Sequence, residues 1–251
     1  MAWVVLSTSS VLDAQEGSDL SEEQLERIVR SCGYNSLTLQ NIMRNSASIS
    51  SATAPESFGR YSQSVYKIPE SIRAGSCSTV SGTRPTCYLY KDSDDVNYEE
   101  IARCVNHYLE NNKANQTAIL CNRYISPRQI RPLLAGDVTL YNAGVEEFGG
   151  NAYTPRHFRE DLAKQREDLV KWIKSGGILL THNKMFRGCE AQSVVYIAHK
   201  WCSFVQARSG PTRAVSELCL VTSDDGIKQD EIKQYFNVIQ VDRLEFVNKG
   251  I

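Results

Sequence analysis

Short runs of consecutive apolar residues constrain the fold of this chain most. They occur at residues 118–121, 178–180, 194–198 and 218–221, for example Val-Val-Tyr-Ile-Ala at 194–198. A strand with one face in water alternates apolar and polar residues, so unbroken runs indicate strands that are buried on both faces. Stretches with helical spacing of apolar residues separate the runs. The pattern predicts an α/β fold, a doubly wound and mostly parallel sheet with helices on both sides.

The predicted elements alternate along the second two thirds of the chain. Strands are predicted at residues 86–90, 117–122, 138–141, 178–181, 194–198 and 218–222, with a further one at 238–241. Helices are predicted at 95–111, opened by Asp94 and Asp95, and at 126–134, with Pro127 in the first turn. A longer amphipathic helix runs through Phe158 and Ile173, and Gly176-Gly177 stops it.

Three regions follow from these patterns. Residues 1–45 are predicted to hold an N-terminal strand at 4–7, a helix from about Ser21 with a capping box, and a helix at 36–43. Residues 46–85, rich in Ser and Gly with little periodicity, are predicted to be an irregular connector. Residues 86–251 are predicted to form the α/β domain.

Charge and cysteine usage narrow the functional classes. The chain has 28 basic and 29 acidic side chains, so any phosphate binding must be local. Its eight cysteines are scattered without a Cys-x-x-Cys pair, which argues against a metal site and for reduced, buried thiols. We therefore expect an intracellular protein, cytoplasmic or nuclear. No apolar stretch approaches the length of a membrane span, so no membrane partner is expected.

Two loop segments carry unusual residues. In doubly wound folds, ligands bind near loops that leave the carboxyl ends of strands. We therefore look first at the segment after Thr181, which contains His182 and Lys184, and at the segment before Leu218.

Three short motifs occur in order along the chain. They are Met43-Arg44-Asn45-Ser46, Arg187-Gly188-Cys189-Glu190 and Thr212-Arg213-Ala214. In this order and spacing they resemble motifs of superfamily 1 helicases of the UvrD-like type, in the C-terminal, second RecA-like domain. The resemblance covers roughly residues 36–223.

This resemblance implies a P-loop NTPase-like (RecA-like) domain and specific roles for its residues. Arg44 and Arg213 would reach the γ-phosphate of ATP across an interdomain cleft, where guanidinium groups match phosphate oxygens. Glu190 would bind the ribose, in a loop with Gly188 and Arg187. A last group would lie near single-stranded nucleic acid, namely Thr181, His182 and Lys184.

The chain lacks the loop that a complete motor needs. No Gly-x-x-x-x-Gly-Lys-Ser/Thr sequence occurs, so nothing here cradles the β- and γ-phosphates. The resemblance therefore implies the C-terminal half of a helicase-like ATPase. The site for ATP with Mg²⁺ would be complete only with a first RecA-like domain, supplied by a longer parent chain or in trans, and neither would be tightly bound to this chain alone. The alternative is a non-catalytic interaction or scaffold module with a degenerate helicase fold.

Structural explanations stand beside these functional ones. Arg44 would cap helix carbonyls, and Glu190 would be a surface residue beside a turn at Gly188. His182 and His199 would be hydrogen-bonded structural histidines. Gly210-Pro211 departs from the helicase pattern and predicts a helix that begins at Pro211, which changes the direction of Arg213. Arg123, Arg128 and Arg131 would form a solvated helix face rather than a nucleic-acid surface. Trp172 and Trp201 would pack in the core rather than stack on bases.

Overall fold

The helices and strands of the chain are taken from a computed structural model. It describes residues 27, 30, 31, 45–53, 81–91, 95–112, 114–122, 124–141, 155–186, 188–198, 210–224 and 232–241. Four helices of the described part are α1 (Ala47–Ala52), α2 (Tyr98–Asn111), α3 (Pro127–Ile130) and α4 (Pro155–Ser175). The strands are β1 (Thr86–Tyr90), β2 (Gln116–Cys121), β3 (Val138–Tyr141), β4 (Gly177–His182), β5 (Ala191–Ala198), β6 (Ala214–Ser223) and β7 (Asn237–Gln240).

These seven strands form one sheet in the order β3-β4-β2-β5-β6-β1-β7. Every pairing between them is parallel. The central strands β2 and β5 are buried almost throughout, which is why their sequences do not alternate. The predicted α/β class with a parallel sheet is confirmed.

Helices cover both faces of this sheet. Alternate residues of each strand point to opposite faces, so one strand contributes to two cores. On one face, Ala118 and Leu120 of β2 belong to a core with Ile49 of α1 and Trp172 of α4. On the other face, Ile119 and Cys121 of β2 belong to a core with α2 and α3. The fold is therefore doubly wound, as predicted.

The first turn of α2 corrects a predicted helix start. The helix begins at Tyr98 rather than Asp95, because the Asn97 side chain accepts the backbone N–H of Glu100 at 3.1 Å and caps it. Glu99 and Glu100 make the first turn acidic, as expected for the positive end of a helix dipole.

The segment predicted as an irregular connector contains a helix. Within residues 46–85, α1 is capped by Ser46 and buries Ile49 and Ala52 fully. Too few apolar residues mark this helix in the sequence for a periodic signal, and only tertiary contacts reveal its buried side.

Some other boundaries also differ, and some predictions cannot be compared. The structure extends β6 back to Ala214 and β5 to Ala191, and the predicted helix at Pro211 is a single 3-10 turn, Pro211–Arg213. Arg27, Arg30 and Ser31 are helical, in agreement with the helix from about Ser21. The strand predicted at 4–7 and the helix at 36–43 lie outside the described residues.

Candidate functional site

All described strands run in the same direction, so their first residues lie along one side of the sheet and their last residues along the opposite side. We call the side of the strand starts the amino edge and the side of the strand ends the carboxyl edge. A residue that precedes a strand therefore lies at the amino edge, and a residue that follows one lies at the carboxyl edge. Thr181 and His182 end β4 at the carboxyl edge. Glu190 precedes β5, and Arg213 precedes β6. The candidate residues therefore divide between opposite edges, and the expectation that the segment before Leu218 lies at a carboxyl end was wrong.

Glu190 and Arg213 precede neighbouring strands. Ala191 of β5 pairs directly with Ala214 of β6, one residue beyond each of the two. Neighbouring strands lie about 4.8 Å apart, so these two residues flank adjacent strand starts. The second and third motifs of the sequence thus converge at the amino edge.

The first motif reaches the same place through Asn45. This side chain is 3% exposed, and its Nδ2 donates to the backbone oxygen of Thr212 at 2.9 Å and to that of Ala214 at 2.5 Å. These two carbonyls flank Arg213. Arg44 lies outside the described residues, but its covalent neighbour Asn45 is bound to the backbone on both sides of Arg213.

The strand lengths explain why Asn45 can bind there. β1 pairs with β6 only from Cys219 onwards, so the first residues of β6 extend beyond β1. The Ser46 N–H donates to the backbone oxygen of Val215 at 3.3 Å in that uncovered stretch. Val215 itself is 37% exposed, so an apolar side chain stands at the surface next to the Thr-Arg-Ala turn.

A bulge in β6 follows Arg213. Between the pairs Ala191–Ala214 and Ser193–Glu217, β5 advances two residues while β6 advances three. Bulges of this kind bend a strand and redirect its side chains, and they are frequent beside active sites.

The Gly210-Pro211 pair has a steric reason. A Cβ added at Gly210 would lie 2.4 Å from the Tyr196 ring, so only glycine lets the chain pass this side chain. Pro211 then opens the 3-10 turn, and the Arg213 N–H donates to the Gly210 oxygen at 3.0 Å. Close packing against Tyr196 therefore accounts for the glycine of this pair.

The loop before Glu190 returns from the carboxyl edge to the amino edge. Its buried anchor is Phe186, which packs edge-on against Trp172 with 5.8 Å between ring centroids. Gly188 follows with φ of 80°, a left-handed conformation that glycine tolerates. Glu190 is exposed at the end of this loop. Arg187 lies outside the described residues.

A polar network behind this edge was not predicted from the sequence. The Tyr108 hydroxyl lies 3.0 Å from the fully buried Ser193 Oγ and donates to Glu217 Oε2 at 3.4 Å. Asn112 Nδ2 donates to the same Ser193 Oγ at 2.6 Å. Burial raises the pKa of Tyr108, so its hydroxyl stays protonated and can donate. The only sequence signal is a polar residue within each of two apolar strands.

The carboxyl edge carries buried polar side chains, and some of their polar atoms have no hydrogen-bond partner among the described residues. Thr181 is fully buried and His182 is 7% exposed, whereas Lys184 is exposed. Hydrogen-bond partners are absent for the buried atoms Thr181 Oγ1, Asn122 Nδ2, Thr222 Oγ1 and Ser223 Oγ, all at the ends of described strands. Buried polar groups are usually paired, so this concentration at one edge is unusual.

Other predicted residues have structural contacts. The Arg131 Nε–H donates to the Val138 oxygen at 2.8 Å, which ties the turn after α3 to the start of β3. Trp172 is 2% exposed in the core, as predicted, while Trp201, His199 and Arg123 lie outside the described residues. Arg128 is exposed on α3. None of the helices in the described part is long and apolar enough to cross a membrane.

The sheet and its two edges define the class of this chain as a doubly wound α/β protein with an all-parallel described sheet. Among solved structures, it is similar to the C-terminal domain of a possible DNA helicase from Lactobacillus plantarum WCFS1. The identity is 14% and the TM-score 0.44, over 78% of this chain and 98% of that one. It is also similar to the C-terminal domain of the DEAD-box protein Dbp5, at 11% identity and a TM-score of 0.39, over 62% of this chain and 90% of that one.

Similarities this remote define neither an activity nor a ligand. No protein-family profile matches the chain. No curated protein matches it either.

Proposed function

We propose that this chain is the C-terminal half of a helicase-like ATPase of superfamily 1. Its amino edge would face an ATP molecule shared with a first RecA-like domain, in the parent chain or in trans. One observation carries the proposal, namely the binding of Asn45 to the carbonyls of Thr212 and Ala214 beside Arg213. It joins two motifs that lie 167 residues apart in the sequence.

The chemistry of phosphoryl transfer supports these residue types. Negative charge spreads over the phosphoryl oxygens in the transition state, and arginines supplied from a second domain stabilise it. Arg213 and Arg44 would take this role. Glu190, with Gly188 and Arg187 in its loop, would accept hydrogen bonds from ribose hydroxyls. The absent first domain would supply the phosphate loop and hold Mg²⁺, so the isolated chain would not hydrolyse ATP.

The opposite edge would bind single-stranded nucleic acid. Thr181, His182 and Lys184 lie at the carboxyl end of β4, a strand of six residues that spans about 20 Å. Nucleotide and nucleic acid would therefore occupy separate edges of the sheet. Lys184 is exposed and offers a charge to phosphates directly.

A second candidate is a non-catalytic interaction module. The complete burial of Thr181 favours it, because a buried hydroxyl does not contact nucleic acid without rearrangement. Binding of single-stranded oligonucleotides separates the two functions. Affinity that falls steeply with salt would support the ATPase half, since phosphate contacts release counterions. The absence of binding at low salt would favour the interaction module.

The amino edge alone would bind nucleotide only weakly, and this weak binding by the isolated chain tests the proposal. Equilibrium binding of a fluorescent ATP analogue is compared for the natural chain, Arg213→Ala, and Arg103→Ala, an exposed arginine on α2 as the matched control. One lost charge-assisted hydrogen bond is worth about 1.5–3 kcal/mol, so Arg213→Ala is expected to weaken binding roughly 10- to 100-fold. Arg103→Ala should bind normally. Equal binding by all three chains, no binding by any, or ATP hydrolysis by the isolated chain would contradict the proposal.

A further inference from the structure

We propose that Asn45 is a positioning residue that sets the direction of Arg213. The expected effect on ATP binding rests on the proposed function, whereas the positioning of Arg213 rests on hydrogen-bond geometry alone. A primary amide has two N–H donors, and Asn45 directs them to the carbonyls of Thr212 and Ala214, one residue on each side of Arg213.

The turn around Arg213 does not hold these carbonyls by itself. Within the 3-10 turn, the N–H groups of Arg213 and Ala214 donate to Gly210 and Pro211. The oxygens of Thr212 and Ala214 accept hydrogen bonds from Asn45, which lies outside the turn. The bulge that follows takes β6 out of simple register with β5, so the sheet alone does not define this segment.

Burial makes the amide a specific choice. Asn45 is 3% exposed, so water does not compete for its donors. An aspartate of the same shape would replace the Asn45 Nδ2 nitrogen with an oxygen, which cannot donate and would face two carbonyl oxygens. The Ser46 N–H bond to Val215 continues the attachment by one residue. Asn45 and Ser46 are thereby both bound to the segment that carries Arg213.

The Asn45 amide is neutral, so it fixes the backbone on both sides of Arg213 without adding a charge there. Asn45 thus prepares the site around Arg213 rather than contacting an anion itself.

The experiment compares Asn45→Ala with Asn106→Ala. Asn106 is a matched control, because its amide also holds a turn by donating to the Leu133 oxygen and accepting the Ala135 N–H. Hydrogen exchange at residues 212–216 is measured in the intact chain. Asn45→Ala is expected to speed exchange there about tenfold, the effect of losing two net hydrogen bonds, and to leave α2 unchanged. Asn106→Ala should leave residues 212–216 protected.

A double-mutant cycle separates positioning from general stability. Binding of a fluorescent ATP analogue is measured for Asn45→Ala, Arg213→Ala and the double variant. If Asn45 acts through Arg213, the double variant binds no more weakly than Arg213→Ala. Additive losses, or unchanged exchange at residues 212–216, would overturn the inference. Should Asn45→Ala not fold, Asn45→Gln keeps the donors on a longer arm and is expected to show a smaller exchange effect at the same residues.

The two experiments can also disagree. One such outcome is that Asn45→Ala speeds exchange at residues 212–216 while Arg213→Ala leaves the nucleotide affinity unchanged. The positioning geometry would then stand, and the proposed ATP site would fail. Normal exchange with a strong effect of Arg213→Ala would overturn the role of Asn45 and leave the ATP site intact.

Discussion

Single polar side chains organise the amino edge of this molecule. Asn45 binds the backbone around Arg213, and Ser193 joins Tyr108 and Asn112 behind the same edge. Both Asn45 and Ser193 are buried, so the loss of one of these hydrogen bonds leaves its partner unsatisfied. Substitution of such residues therefore affects local geometry more than their small size suggests.

Trp172 offers a test of the core on the α4 side of the sheet. It is 2% exposed, contacts Phe186 edge-on, and its Nε1–H donates to the Gly177 oxygen at 3.1 Å. Trp172→Ala is expected to lower the free energy of unfolding by about 3–5 kcal/mol, because a cavity and an unpaired carbonyl remain. Urea denaturation measures the change.

The next residue along α4 is the control for this prediction. Ile173 is 53% exposed, so Ile173→Ala should change the free energy of unfolding by no more than about 0.5 kcal/mol. Equal losses in the two variants would mean that Trp172 is not a core residue.

At the scale of elements, the close connection between α4 and β4 depends on glycine. Gly176 has φ of 77°, and its N–H donates to the Trp172 oxygen at 2.8 Å, which ends the helix. A Cβ at this position would lie 2.3 Å from the Asn115 oxygen. The reversal from helix to strand therefore needs glycine for both conformation and space.

Gly136→Ala and Gly176→Ala separate these two causes. Gly136 has φ of 81°, but an added Cβ would meet nothing within 4 Å. Its replacement is expected to cost about 1–2 kcal/mol from backbone strain alone. Gly176→Ala should cost about 1–3 kcal/mol more than Gly136→Ala, because the Asn115 backbone must also move. Thermal and urea unfolding would measure both, and equal costs would remove the steric argument.

At the scale of the whole molecule, the parallel sheet separates the candidate residues into two groups. Glu190 and Arg213 lie at the amino edge, and Thr181 and Lys184 at the carboxyl edge. No sequence motif predicts that these residues lie at opposite edges. It follows from the direction of the strands that each residue precedes or follows.

The buried cysteines and tyrosines predict how stability depends on pH. Burial, with Glu100 nearby, raises the pKa of the Cys104 thiol to about 12, and burial also raises the pKa of Cys87, Cys219, Tyr88 and Tyr108. These groups stay neutral in the folded chain but ionise in the unfolded chain, where cysteine has a pKa of 9.0. Their contribution is complete below pH 9 and is lost as pH rises towards the folded pKa values.

Denaturation at pH 8 to 10.5 under reducing conditions would measure this loss. Each thiol that ionises only on unfolding is expected to lower the free energy of unfolding by about 1.4 kcal/mol per pH unit above its unfolded pKa. Cys104→Ala removes one such group, so its curve should fall less steeply than that of the natural chain. Stability that stays constant over this range would contradict the burial of the thiols.

The sequence by itself determined the fold class and the identity of most strands. Unbroken apolar runs such as 118–121, separated by stretches with helical spacing, are typical of strands in the centre of a sheet, where both faces of each strand are covered. It also identified Glu190 and Arg213 as residues of interest, since their types and order are local properties of the chain.

The tertiary structure decided where those residues lie and what holds them. The short helix α1 carries too few apolar residues for a periodic signal, and its buried residues lie in a helix that contacts β6, far away in the sequence. The partners of Asn45 are likewise about 170 residues distant, and a polar side chain does not specify its acceptor. Strand order, edge and long-range hydrogen bonds arise only when separate segments pack together, and they place two of the three motifs, and the residue next to Arg44, at one edge of the sheet.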